Sequence, residues 1–128
     1  MSDKSAGGDL KDLRILVAED EGIVALEIEA SLQGFGCEVV GPVGKVEQAL
    51  EAVQTQSVDG AVLDVNLGGV EVFPVADELL ARGIPVILST GYNDLSLFPE
   101  RFRGLPCLEK PYDEKDLFDL MTRVVGRS

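Results

Sequence analysis

Apolar residues in this chain alternate between short unbroken runs and longer stretches that recur at helical spacing. Arg14-Ile15-Leu16-Val17-Ala18 is continuous rather than alternating, which predicts a strand buried on both faces. From Glu21 to Gln33, Val24, Ile28 and Leu32 fall on one helical face, with Gly34 placed to stop the helix. Cys37-Glu38-Val39-Val40 reads as a second strand broken by Gly41-Pro42, and Val46, Ala49, Leu50 and Val53 mark a second helix. Gly60-Ala61-Val62-Leu63 is a third strand ending at Asp64, followed by a loop loosened by Gly68-Gly69. A third helix then runs to about Arg82, with Pro74 tolerable in its first turn.

Pro85-Val86-Ile87-Leu88 predicts a fourth strand, and Leu105-Pro106-Cys107-Leu108 a short fifth whose proline suits a sheet edge. In the last helix Asp113 is the expected cap, and Leu117, Leu120, Met121 and Val124 form the buried face. Between Tyr92 and Arg103, Asn93-Asp94 and Pro99 leave room only for a fourth helix that is short or mobile. Strand–helix alternation of this kind implies a parallel sheet with helices on both faces, because parallel neighbours need long right-handed crossovers. All strand carboxyl ends then share one edge, where such sheets hold their chemistry. The residues delivered to that edge are Glu19-Asp20, Asp64, Ser89-Thr90 and Lys110-Pro111.

At 128 residues the chain is sized for one domain, here taken as 13–128 after a flexible start at 1–12. No apolar run approaches the roughly 20 residues of a bilayer helix, and the N-terminus opens onto no signal-peptide core, so a cytoplasmic, membrane-free protein is expected. Eleven Lys and Arg against 23 Asp and Glu give a net charge of −12, which argues against nucleic-acid binding. Cys37 and Cys107 fall in opposite edge strands, several steps of about 4.8 Å apart, too far for a disulfide. Histidine is absent, which removes the commonest zinc ligand.

Three carboxylates, Glu19, Asp20 and Asp64, are costly at close range unless a cation or a proton relieves them. Magnesium suits them, since it prefers oxygen ligands and shares its shell with water and phosphate. Thr90 adds a hydroxyl donor and Lys110 a fixed positive charge, so the set provides for phosphoryl transfer to an aspartate.

The joint spacing of Glu19-Asp20, Asp64, Thr90-Gly91 and Lys110-Pro111 resembles the receiver domain of bacterial two-component response regulators, over roughly Leu13 to Val125. The resemblance implies an α/β, flavodoxin-like fold: a doubly wound five-stranded parallel sheet of order 2-1-3-4-5 flanked by five helices. It implies that Asp64 accepts phosphate from a histidine kinase or phosphotransfer protein, that Asp20 binds Mg2+ directly, and that Glu19 does so partly through water. It also makes the Asn66 backbone carbonyl a metal ligand, Thr90 and Lys110 the phosphoryl-holding groups, and the Lys110-Pro111 peptide cis.

Receivers usually carry Tyr or Phe where this chain has Cys107. Leu88-Ser89-Thr90-Gly91-Tyr92 instead resembles a subgroup whose fourth strand ends in Phe-Ala-Thr-Gly-Tyr, so the segment after Thr90 is expected to transmit the signal by a change in order. Ending directly after its last helix, the chain is expected to signal through a downstream protein target, by a face of the fourth helix, fifth strand and fifth helix near Arg101, Arg103 and Tyr112. A flavodoxin-like FMN protein fits poorly, because Glu19, Asp20 and Glu21 would repel its phosphate. A phosphatase lacks a second acid at Asn66. A phosphorylation-independent adaptor stays open as the alternative.

Overall fold

A computed structural model describes residues 9–91 and 98–126. The continuous apolar runs form the strands of a five-stranded parallel sheet: β1 (Arg14–Ala18), β2 (Glu38–Val43), β3 (Gly60–Asp64), β6 (Val86–Thr90) and β7 (Cys107–Glu109). Their order is β2-β1-β3-β6-β7, the expected 2-1-3-4-5 once a separate hairpin of β4 (Asn66–Leu67) and β5 (Val70–Glu71) is set aside. Every residue of β3 and β6 is buried, which is why these strands show no alternation in sequence.

Alternate side chains divide the core between the two faces of the sheet. Leu16, Leu63 and Leu88 pack with α2 (Val46–Thr55) and α3 (Phe73–Ala81), whereas Ile15, Val62 and Ile87 pack with α1 (Gly22–Gly34) and α4 (Glu114–Val124). Pro74 lies in the first turn of α3, as expected. At α4, Asp113 and Asp116 form a capping box in which each carboxylate accepts the other's backbone N–H, at 2.9 and 3.3 Å. No helix among the described residues is long and apolar enough to cross a membrane.

Four α-helices, not five, are present among the described residues. The expected fourth helix falls partly on 92–97, outside the described residues; the remainder holds a single 3-10 turn, Glu100–Phe102, framed by Pro99 and Arg103. That turn is anchored by Phe102, stacked on Phe73 of α3 with centroids 4.7 Å apart, and by Phe98, edge-on to the same ring. The arginines expected on a partner-facing surface are engaged within the chain: Arg101 bridges to Asp77 at 2.9 Å, and Arg103 Nε donates to the Phe98 carbonyl. Within the stretch expected to be flexible, Leu10 lies in the core and the Asp12 N–H donates to the Gly36 carbonyl at 2.7 Å, while Asp9, Lys11 and Asp12 are exposed. Both cysteines are free thiols.

Gly41-Pro42 does not break the second strand. It forms a bulge instead: Leu16 pairs with Val40 and Ala18 with Val43, so β2 carries one more residue than β1 across this step. Gly41 has φ +99°, and a Cβ there would lie 2.9 Å from both the Val17 carbonyl oxygen and the Val43 nitrogen. Gly41→Ala is therefore expected to cost about 2–4 kcal/mol, combining a left-handed backbone penalty with an overlap against rigid main chain. Chemical denaturation would measure it, and a loss within about 0.5 kcal/mol, the scatter of neutral surface changes, would contradict this account.

Candidate functional site

The bulge matters to the site because it carries β2 on to Val43, whose carbonyl accepts the Glu19 N–H at 2.9 Å. Glu19 follows β1 and is buried at 3% exposure; Asp64 ends β3 and is 7% exposed. Asp20 is exposed beside them, and one carboxylate oxygen from each of the three acids lies within 4.8 Å of the others. The sheet topology thus unites residues 19, 20 and 64 at the carboxyl edge, as the strand reading requires.

Lys110, just past β7, reaches into this group. Its Nζ donates to Asp64 Oδ2 at 3.1 Å and stands 3.1 Å from Glu19 Oε1, with Glu21 Oε1 farther off at 4.0 Å. Burial opposes the lysine's charge, but the bond to Asp64 and the two neighbouring carboxylates outweigh it and hold its pKa above the usual value. Its backbone N–H donates to the Thr90 carbonyl at 2.8 Å, tying β7 to β6, and the Lys110-Pro111 peptide is cis as expected. Thr90 is fully buried, but its hydroxyl donates to the Gly91 carbonyl at 3.2 Å rather than to an acid.

Asn66 opens β4, and its backbone N–H donates to Asp64 Oδ1 at 3.1 Å while its side-chain oxygen accepts the Gly69 N–H at 2.8 Å. The loop beyond Asp64 is a hairpin whose two-residue turn, Gly68-Gly69, has positive φ at both positions. Such short strands leave no periodic trace in the sequence. Glu21 occupies the N-cap position of α1, yet its carboxylate makes no capping bond; its N–H instead donates to Glu19 Oε2 at 3.2 Å.

Burial and the adjacent Asp64 push the Glu19 pKa up to about 7, only partly offset by the Glu21 amide and Lys110. Glu19 Oε1 is shielded from solvent and has no hydrogen bond of good geometry, since the nearby ammonium is an ion-pair contact alone. Three converging acids, two of them buried, fit a hard divalent cation bound through oxygen. Glu19 holds its proton more tightly here than in an unfolded chain, so its contribution to stability declines as pH rises from the ordinary glutamate range through about 7.

Known proteins share this fold and sequence pattern. A solution structure of SdrG from Sphingomonas melonis Fr1 is similar, with 39% identity and a TM-score of 0.73 over 86% of this chain and 97% of that one. A BeF3-activated conformation of SdrG from Pseudomonas melonis Fr1 matches at 40% identity and a TM-score of 0.69, over 84% of this chain and 95% of that one. The transcriptional regulatory protein PdtaR of Mycobacterium tuberculosis is 28% identical over 118 residues, 89% of this chain but 57% of PdtaR. The chain thus spans about half the length of the curated relatives it matches. Residues 15–122 match the response regulator receiver domain, and the chain belongs to that family.

Proposed function

We propose that this chain is a phosphorylation-controlled switch, in which Asp64 accepts a phosphoryl group from a phosphohistidine of a sensor kinase or phosphotransfer protein. The observation that carries this reading is the Lys110 ammonium held at 3.1 Å from both Asp64 and Glu19 within a cluster of three acids. An Asp64 carboxylate oxygen attacks phosphorus as the phosphorus–nitrogen bond breaks, and the histidine departs with the nitrogen electron pair. Lys110 follows the new negative charge, and Thr90 exchanges its Gly91 bond for a phosphoryl oxygen. Magnesium, held by Asp20, Glu19, Asp64 and the Asn66 backbone carbonyl, would supply neutralising charge for the phosphoryl oxygens.

The added charge alters contacts with a downstream protein. For the donor, Ile23 and Leu26 on α1 are 76% and 64% exposed near the site and offer an apolar docking surface. A net charge of −12 disfavours nucleic acid as the partner, and a cytoplasmic location goes with this role. Turnover of the phosphoryl group on the chain itself makes it a switch rather than an enzyme for external substrates.

The test is incubation with acetyl phosphate and magnesium, followed by intact-mass measurement and peptide mapping. A base-labile gain confined to Asp64 supports the proposal, and no gain at saturating phosphodonor would instead favour an adaptor that works without phosphorylation. The Glu19 proton adds a second measurement. Because it competes with the cation, magnesium affinity is expected to rise between about pH 6 and about pH 8 in wild type and to lose most of that rise in Glu19→Gln. Equal slopes in a calorimetric titration of the two proteins would contradict this.

A further inference from the structure

The β4–β5 hairpin stands beside α2 without closing onto it. Leu67 pairs with Val70 across the hairpin, so both side chains share one face, yet Leu67 is buried and Val70 is 54% exposed. With Val46 and Leu50 of α2 they line an open groove of about 730 Å³. The turn at Gly68-Gly69 adds no side chain to its mouth, and a Cβ built at Gly69 would meet nothing within 4 Å.

Two stripes run along the α2 wall. Val46 and Leu50 are half-buried and one helical turn apart, and the line continues to Gln54 over about 12 Å of helix axis. Beside it Glu47 and Glu51, both exposed and also one turn apart, set a row of carboxylates along the apolar floor. Lys45 stands at the end where α2 begins. That end is fixed in place: the Gly44 N–H donates to Gln48 Oε1 at 3.2 Å, and a Cβ on Gly44 would lie 3.6 Å from Asp20 Cα.

This pattern selects among occupants. A second copy of the chain would bring another net charge of −12 to a wall that already holds two exposed carboxylates. A helix with apolar residues at i, i+4 and i+7 and lysine or arginine beside them matches both stripes, since its carbon covers Val46, Leu50 and Val70 while its cations meet Glu47 and Glu51.

We propose that the groove between α2 and the β4–β5 hairpin docks a basic amphipathic helix of a partner protein. Helix α2 packs on one face of the sheet and α1 on the other, so this partner and a phosphodonor on α1 do not compete for the same surface. Docking here does not depend on phosphorylation of Asp64.

The test titrates the full isotope-labelled chain with a synthetic helical peptide of about 14 residues, built from leucine and lysine at helical spacing. Amide shifts are expected to centre on Val46, Leu50 and Val70. Glu51→Lys and Val70→Ser should each weaken binding at least about fivefold, whereas Glu27→Lys, the same charge change on α1, should weaken it less than about twofold. All three side chains are exposed, so the substitutions leave the core intact. Equal losses in Glu51→Lys and Glu27→Lys would reduce the binding to attraction by net charge. Shifts centred on Ile23 and Leu26 would move the peptide to α1, and groove amides that shift with protein concentration alone would make a second copy the occupant. Each of these results, or no binding at all, overturns the proposal. None bears on Asp64, because no phosphodonor is present.

Discussion

Asp64→Asn is expected to remain folded and to take up no phosphoryl group from acetyl phosphate and magnesium, whereas the parent chain is modified at that one carboxylate. An amide oxygen is too weak a nucleophile to replace the carboxylate, so the loss should be complete within detection. Folding should survive because the amide loses only its acceptor for Lys110 Nζ and keeps the other contact. Its oxygen still accepts the Asn66 N–H, now 3.1 Å from Asp64 Oδ1, and Lys110 keeps Glu19 at 3.1 Å. Removing one of three acids within 4.8 Å also relieves repulsion, so thermal stability should hold or rise. Intact mass and a thermal melt on the same samples decide the matter. Equal modification of a folded variant would move the acceptor elsewhere.

Phe102→Ala is expected to cost about 3–5 kcal/mol of folding stability, the range for deleting a buried phenyl group. The ring is fully buried and stacks at 14° on Phe73, with the Arg101 guanidinium 4.4 Å from its centroid on the way to Asp77. Its removal empties the contact between α3 and the turn that follows the Thr90 segment. Urea denaturation measures the loss, and a value under about 1 kcal/mol would mean that the turn contributes little to holding α3.

Strands β1, β3 and β6 were readable because burial on both faces leaves unbroken apolar runs, and their ends located the acids and Thr90. Gly41-Pro42 misled because the same two residues that usually end a strand also build a bulge, a choice made by pairing with β1. In helix α1 the expected stripe holds at Ile28 and Leu32, with Ala25 joining it and Val24 half-buried, while Ile23 and Leu26 face solvent. Sequence spacing likewise says which groups meet at the sheet edge, not how they share bonds. That Lys110 divides itself between Glu19 and Asp64, or that the Thr90 hydroxyl turns to Gly91, depends on rotamers and burial fixed only in three dimensions.

The β4–β5 hairpin is closed at its base, where the Val72 N–H donates to the Val65 carbonyl at 2.9 Å. Asp64 and the start of α3 are therefore held together across that base, independently of how far the tip extends. Material added between Gly68 and Gly69 would lengthen the tip without pulling on either, whereas the same insertion in a slack loop would loosen both. The tip is thus a grafting point for a fluorophore or a short affinity sequence, tethered only a few residues from the acid cluster it would report on.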